Sequence, residues 1–243
     1  MFGYDSVFFN AVGLPGQGID NAIKDFKTLN GLSVPVIGSI YGYKIKQFGQ
    51  VTRKMASLKP AMIEVDISCP HMDYGKPYYA DPELTSKVTR EVKNNSGKIP
   101  VSIKLSPNVY DIKEIAHAAE KAGADAITAI NTATGMAIDI DARKPVLKNK
   151  IGGISGPALK PIAVRCVYEI REAVKIPIIG TGGVTYGKDA IEMVMAGATA
   201  VGIGTAIYYR GIDVFKKVCD EMESWMKKNK VKNLEEIRGI AHK

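Results

Sequence analysis

Six short runs of apolar, largely β-branched residues constrain this chain more than any other feature: Val34 to Ile40, Met62 to Ser68, Val101 to Ser106, Ala126 to Asn131, Ile176 to Thr181 and Ala200 to Thr205. Each is apolar almost throughout, the pattern of a strand buried on both faces. Helical patterns lie between most of them. Asp111-Ile112-Lys113-Glu114 reads as a capping box that opens a helix, with Ile115, Ala118, Ala119 and Ala122 on one face and Gly123 just past the end. A second helix, Lys188 to Ala196, stops at Gly197 in the same way. Both ends lead into near-copies, Ala122-Gly123-Ala124-Asp125-Ala126-Ile127 and Ala196-Gly197-Ala198-Thr199-Ala200-Val201. This alternation predicts an α/β fold with a parallel sheet and right-handed crossovers, either closed or doubly wound.

Two features favour the closed form. Polar or glycine-rich residues stand at the C-terminal ends of the strands, at Cys69, Lys104, Asn131, Gly182 and Thr205, and in a (β/α)8 TIM barrel those ends meet on one face. The last two strands run into Gly180-Thr181-Gly182-Gly183 and Gly202-Ile203-Gly204-Thr205, turns that let backbone N–H groups approach a phosphate. A phosphate-bearing ligand is therefore expected there. Six βα units are visible where the barrel needs eight. The expectation is a barrel lacking about its first two strands: a fragment, the product of a late start codon, or an open barrel completed by something else. No linker, low-complexity tract or shift in charge divides the chain, so residues 1–243 are expected to form a single domain, incomplete at the N-terminus.

No apolar run approaches the ~20 residues of a bilayer span, and Met1-Phe2-Gly3-Tyr4-Asp5 lacks the regions of a signal peptide. A soluble, cytoplasmic protein without a membrane partner is expected. The three cysteines, Cys69, Cys166 and Cys219, are odd in number and lack metal-like spacing, which argues for a reducing cytoplasm and against a disulfide framework, and no metal site is expected. The net charge of +8 suits a phosphate-bearing cofactor or a nucleic acid, but it is diffuse. Its densest cluster, Lys227-Lys228-Asn229-Lys230 with Lys232, reads as a solvated helix end rather than a nucleic-acid patch.

The most informative segment is Glu64-Val65-Asp66-Ile67-Ser68-Cys69-Pro70-His71, a strand running into Cys-Pro and then a polar loop to Asp81 that is suited to a lid. An arbitrary cysteine is a small buried hydrophobe, but Pro70 ends the strand's pairing and puts this thiol at the barrel mouth. There it serves as a base toward carbon or as a nucleophile, with His71 a plausible neighbouring base for the second role. His117, within an amphipathic helix, reads as structural. Lys104 is a charge inside an otherwise apolar strand; it meets either a ligand that gathers negative charge or a structural carboxylate, and the first is expected. Asn131 and Thr132 offer amide and hydroxyl groups to a polar planar ligand.

Together these segments resemble the class 1 dihydroorotate dehydrogenases, most closely the NAD-linked, heteromeric class 1B. The resemblance runs from Asn10-Ala11-Val12-Gly13-Leu14 through Ile63 to Pro70, Asp81-Pro82-Glu83, Ile103 to Asn108, Ala122 to Thr132, Gly152 to Pro161 and Ile178 to Val184, ending at Gly204-Thr205. It covers nearly the whole chain. It implies a flavoprotein oxidoreductase of pyrimidine (UMP) synthesis that converts dihydroorotate to orotate with FMN. By that resemblance Cys69 takes the C5 proton while C6 gives a hydride to FMN, and Lys104 stabilises the reduced flavin. Asn10, Asp66, Asn131 and Thr132 contact the pyrimidine; Ser155, Gly156, Gly182, Gly183, Gly204 and Thr205, with Lys104, hold FMN. The resemblance also implies a partner subunit carrying FAD and a 2Fe-2S cluster, which passes electrons to NAD, and a heteromer or homo-oligomer.

Three departures from the family pattern stand out. Asp66-Ile67-Ser68-Cys69-Pro70-His71 replaces the usual Asn-Ile-Ser-Cys-Pro-Asn, and its Cys-Pro-His ending resembles the dihydropyrimidine dehydrogenases, whose substrates lack the carboxylate. Gly16 stands where an Asn is common. The family's first strands, an Ala-Ser-Gly flavin turn and a substrate-side lysine are not in the sequence, so a catalytically inactive barrel is the remaining alternative.

Overall fold

The computed structural model describes residues 2–4, 6–29, 31–68 and 77–243. From the N-terminus come strands β1 (Phe2–Tyr4) and β2 (Val7–Asn10), helix α1 (Ile19–Leu29), β3 (Ile37–Ile40), α2 (Ile45–Ser57), β4 (Met62–Asp66), α3 (Pro82–Ser96), β5 (Val101–Leu105), α4 (Ile112–Lys121) and β6 (Ala126–Ala129). Strands β7 (Ala133–Met136), β8 (Ile138–Asp139), β9 (Lys144–Pro145) and β10 (Ile151–Ser155) follow. The remainder is α5 (Lys160–Ala173), β11 (Ile178–Thr181), α6 (Gly187–Ala196), β12 (Ala200–Gly202), α7 (Ala206–Arg210) and α8 (Val214–Lys228). The fold is α/β, and the six predicted strands form as β3, β4, β5, β6, β11 and β12. Two start later than predicted because a proline lacks the N–H a ladder needs: Pro35 lies ahead of β3 and Pro177 ahead of β11.

The chain divides into two compact units, one of Met1–Gly13, Ala129–Glu172 and Ile178–Lys243, the other of Leu14–Thr128 with Ala173–Pro177. In the second, β3, β4 and β5 pair in parallel with Ile37 opposite Met62 and Ile63 opposite Val101, and β6 lies beside β5. Ile63, Val65, Val101, Ile103 and Leu105 are wholly buried. Each contributes about 1.5–3 kcal/mol of apolar burial, which outweighs the modest helix and strand propensities along this stretch. The expected burial on both faces holds for β5 except at Lys104, and fails at β3, where Ile37 and Ser39 are exposed; β3 ends its sheet and is packed from fewer sides. Asp81 caps α3 by accepting from the N–H groups of Glu83 and Leu84. Asp111 caps α4 through Lys113 N, and Ile112, Ile115, Ala116 and Ala119 form its buried face, with His117 exposed.

In the first unit β11 pairs in parallel with β12, Thr181 opposite Gly202. Ile191, Val194 and Ile237 form a core against Met222, Trp225 and Met226. This unit also holds an antiparallel sheet in the order β1, β2, β10, β7, which the strand pattern did not predict. Its strand β10 reads Ile151-Gly152-Gly153-Ile154-Ser155, and glycine is depleted in strands. The structure explains both glycines: a Cβ at Gly152 would fall 2.4 Å from Asn10 O, and one at Gly153 would fall 2.3 Å from Thr132 Oγ1.

Cys166, in α5, is wholly buried, and burial pushes its thiol up to about 11 against the opposing pull of Arg165, so it stays protonated near neutrality. Cys219 is exposed. Lys227 and Lys228 close the last turn of α8 in solvent, where the helix dipole favours cations, in keeping with the predicted solvated helix end. Among the described residues no helix is long and apolar enough to cross a membrane.

Candidate functional site

In the unit built on β3 to β6, strand register assembles a polar layer inside an apolar sheet. Residues two apart share a face, so Glu64 and Asp66 on β4 lie beside Ser102 and Lys104 on β5, and Ser39 on β3 lies opposite Glu64. Ser39 Oγ donates to Glu64 Oε1 at 3.2 Å, and the hydroxyls of Ser102 and Thr128 meet at 2.8 Å. Lys104 Nζ stands 3.7 Å from Asp66 Oδ2 and 3.9 Å from Glu64 Oε1, with a quarter of its side chain exposed. Lys104 therefore has carboxylate neighbours, and its separations are those of long ion pairs rather than tight hydrogen bonds. Asp66 is engaged on its other oxygen as well: Oδ1 accepts from the Ser68 N–H at 2.8 Å and the Ser68 hydroxyl at 2.5 Å. This turn shapes the chain as it leaves β4. Cys69, Pro70 and His71 lie outside the described residues.

The other predicted ligands belong to the first unit. Asn10 ends β2 opposite Gly153, and Thr132 Oγ1 occupies the space that a side chain at Gly153 would need, so β10 brings these two residues to flank one glycine. Asn131 turns back on its own chain, its Oδ1 accepting from Thr132 N at 2.7 Å. Ser155 ends β10 and Gly156 follows it, Gly182 and Gly183 follow β11, and Gly204 and Thr205 follow β12.

These three turns are linked by packing. Gly183, at φ +74°, lies against the first residue of α5: a Cβ there would sit 2.5 Å from Lys160 N. A Cβ at Gly182 would meet Ala163 at 2.7 Å. Gly156, at φ +94°, lies against Ser6 O and the hydroxyl of Tyr209 in α7, the helix that Thr205 opens. Glycine at 182 and 183 is thus required by backbone conformation and by the approach of α5, a reason different from the predicted access for a phosphate. At Gly204, by contrast, a Cβ would meet nothing within 4 Å, so the backbone there is open. Open backbone followed by the start of a helix suits an anion, so the residues present fit the phosphate end of FMN.

A charged network behind the turns had no counterpart among the predicted site residues. Lys160 Nζ donates to Asp189 Oδ1 at 2.9 Å and to Glu192 Oε2 at 2.6 Å. Asp189 Oδ2 accepts from the N–H groups of Thr185 at 3.0 Å and Tyr186 at 2.8 Å. Arg210 donates to Thr185 O at 2.9 Å and to Glu221 Oε1 at 2.5 Å, and stacks on the Tyr186 ring at 4.4 Å. Burial alone would raise the Asp189 carboxyl, but Lys160 and the two N–H groups outweigh it and hold it below the ordinary 3.8. Burial works against the Lys160 charge, yet its bonds to Glu192 and Asp189 keep it above the ordinary 10.5. The pair's contribution to stability is therefore in place across neutral pH. It is lost only as pH falls through the lowered Asp189 value or rises through the raised Lys160 value. The legible signal was Asp189 three residues after Tyr186, the spacing of an acidic residue in the first turn of a helix.

The dihydroorotate dehydrogenase family profile matches residues 1–226. A protein of Methanocaldococcus jannaschii called dihydroorotate dehydrogenase B (NAD(+)), catalytic subunit, is 49% identical over 97% of this chain and 78% of its own length. Proteins of the same name from Methanosarcina acetivorans and Pyrococcus abyssi are 42% and 43% identical, over 100% and 96% of this chain and 78% of each relative. The matched span takes in all of the second unit and the first as far as residue 226, and the chain belongs to the dihydroorotate dehydrogenase family.

Proposed function

We propose that residues 1–243 act as one FMN-binding domain of TIM-barrel type, the catalytic subunit of a class 1B dihydroorotate dehydrogenase that oxidises dihydroorotate to orotate in pyrimidine synthesis. The observation that carries this reading is the 49% identity to a catalytic subunit so named, across 97% of the chain. The open backbone at Gly204 supports a phosphate-bearing cofactor in the same protein.

In this reading FMN supplies, when bound, a two-electron acceptor for the substrate. Cys69 takes the substrate's C5 proton, and Asn10, Asn131 and Thr132 hydrogen-bond the pyrimidine. Asp66 contacts substrate or holds the turn to Ser68, and its carboxylate disfavours a carboxylate-bearing substrate unless Lys104 offsets its charge. Ser155, Gly156, Gly182, Gly183, Gly204 and Thr205 hold the ribityl phosphate, chiefly by backbone N–H groups. Electrons leave to a partner subunit carrying FAD and a 2Fe-2S cluster, because three cysteines in this chain are too few for a four-cysteine centre.

Anaerobic mixing with dihydroorotate is expected to bleach the flavin absorbance, and dihydrouracil to do so at least tenfold more slowly. The reverse preference would transfer the chain to a dihydropyrimidine dehydrogenase-like activity, which the Asp66 carboxylate at a usual asparagine position favours. No bleaching by either would leave a catalytically inactive member of the family.

Lys104 carries its own expectation. Lys104→Ala removes the cation between Glu64 and Asp66, leaving two carboxylates facing each other with no counter-charge from that position. Flavin reduction is expected to slow at least tenfold, within the usual cost of losing one electrostatic stabiliser. If stopped-flow traces show a normal rate and FMN stays bound, the lysine's role is confined to the carboxylates.

A further inference from the structure

We propose that Asp189 and Arg210 are positioning residues that brace the glycine turns after β11 and β12 into one preorganised anion cradle. This deepens the FMN reading and rests on it.

A turn built on two adjacent glycines has more conformational freedom than any other, and a cradle that binds through backbone N–H groups needs those groups held in place before the ligand arrives. Here the bracing is supplied by charge on the residues that immediately follow. Thr185 N and Tyr186 N donate to Asp189, Thr185 O accepts from Arg210, and Gly187 N donates to Glu221 Oε2 at 2.6 Å. The Thr185 hydroxyl reaches back to Gly183 O at 3.2 Å, which joins the braced segment to the turn itself. Hydrogen bonds to ionised groups are about twice as strong as neutral ones, and Asp189 is only 5% exposed, so solvent screens its bonds weakly.

The brace also spans the two turns. Asp189 works on the first, since its partner Lys160 is the residue whose backbone fills the space beside Gly183. Arg210 is the last residue of α7, whose first turn follows Gly204 and Thr205, and its guanidinium grips the Thr185 carbonyl behind the first turn. Glu221 completes the clamp by accepting from both Arg210 and Gly187. Both cations are committed to carboxylates, Lys160 to Asp189 and Glu192, Arg210 to Glu221. The arrangement leaves the charge of a bound phosphate to backbone dipoles, which are effective only when their directions are fixed.

The readout that separates bracing of a phosphate cradle from general support of the fold is the preference for FMN over riboflavin, which differ by the phosphate. Both ligands are titrated by flavin fluorescence into the parent chain, Asp189→Asn and Arg210→Lys, with far-ultraviolet circular dichroism as the check on folding. The parent is expected to bind FMN at least tenfold more tightly than riboflavin, and each variant to lose at least tenfold in FMN affinity, about 1.4 kcal/mol, with riboflavin affinity unchanged within about twofold. Asp189→Glu is expected to recover part of the loss. Undiminished FMN preference in both variants, or equal losses for both ligands, would overturn the proposal. Should Asp189→Asn fail to fold, Arg210→Lys decides alone. A parent that binds riboflavin as well as FMN would overturn the FMN reading first and this inference with it.

Discussion

Serine in place of Cys69 is expected to leave FMN bound and to slow reduction of the flavin by dihydroorotate at least about 100-fold, the lower end of what loss of a positioned general base costs. The two side chains are nearly the same shape, so the change isolates acidity. A thiol titrates near 8.5 and is partly ionised at neutral pH, whereas an alcohol gives up its proton far less readily and cannot take one from carbon at a useful rate. Neither of the other cysteines matches this role: Cys166 is wholly buried with its thiol at about 11, and Cys219 lies on the exposed side of α8. Single-turnover mixing under anaerobic conditions reads the step directly. Indistinguishable rates for parent and variant would remove Cys69 from the mechanism.

Gly183→Ala and Gly204→Ala are expected to separate fold from cofactor binding. At Gly183 alanine meets two penalties. The φ of +74° costs an L side chain about 1–2 kcal/mol, and its Cβ would fall 2.5 Å from the backbone nitrogen of Lys160, where overpacking costs about 1–3 kcal/mol. Reduced freedom of the unfolded chain returns only about 0.4–1 kcal/mol. The net loss is about 3 kcal/mol, which lowers Tm by roughly 6–12 °C in a chain of this size. At Gly204 a Cβ meets nothing within 4 Å, and alanine is expected to change stability by no more than about 0.5 kcal/mol while weakening FMN binding by occupying the open space. Thermal melts and flavin titrations on the same two variants test both halves. A Gly204→Ala protein with unaltered FMN affinity would move the phosphate elsewhere.

The site residues were legible in the sequence to different degrees. Lys104 announced itself because a charge interrupts Val101-Ser102-Ile103-Leu105, but the carboxylates that flank it did not, since Glu64 and Asp66 lie about forty positions earlier and reach it only through strand register. The glycine turns were visible as a pattern, but the packing they also serve was not. Gly182 and Gly183 are small mainly because α5 comes up against them, and nothing local to those residues states where α5 will pack. Of the Lys160, Asp189, Arg210 and Glu221 network only the helix-opening position of Asp189 could be read locally; its members are spread over 62 positions, from 160 to 221, and become neighbours only on folding.

The sequence alone determined the α/β class, the six parallel strands and the capped helices, because periodicity, proline positions and caps act over a few residues and survive without any knowledge of the fold. Tertiary structure alone decided the antiparallel sheet of β1, β2, β10 and β7, the partners of Lys104 and the bracing of the glycine turns. Those features depend on register and close approach between segments far apart in the chain. A glycine written for a neighbour's sake carries no local mark of which neighbour it serves.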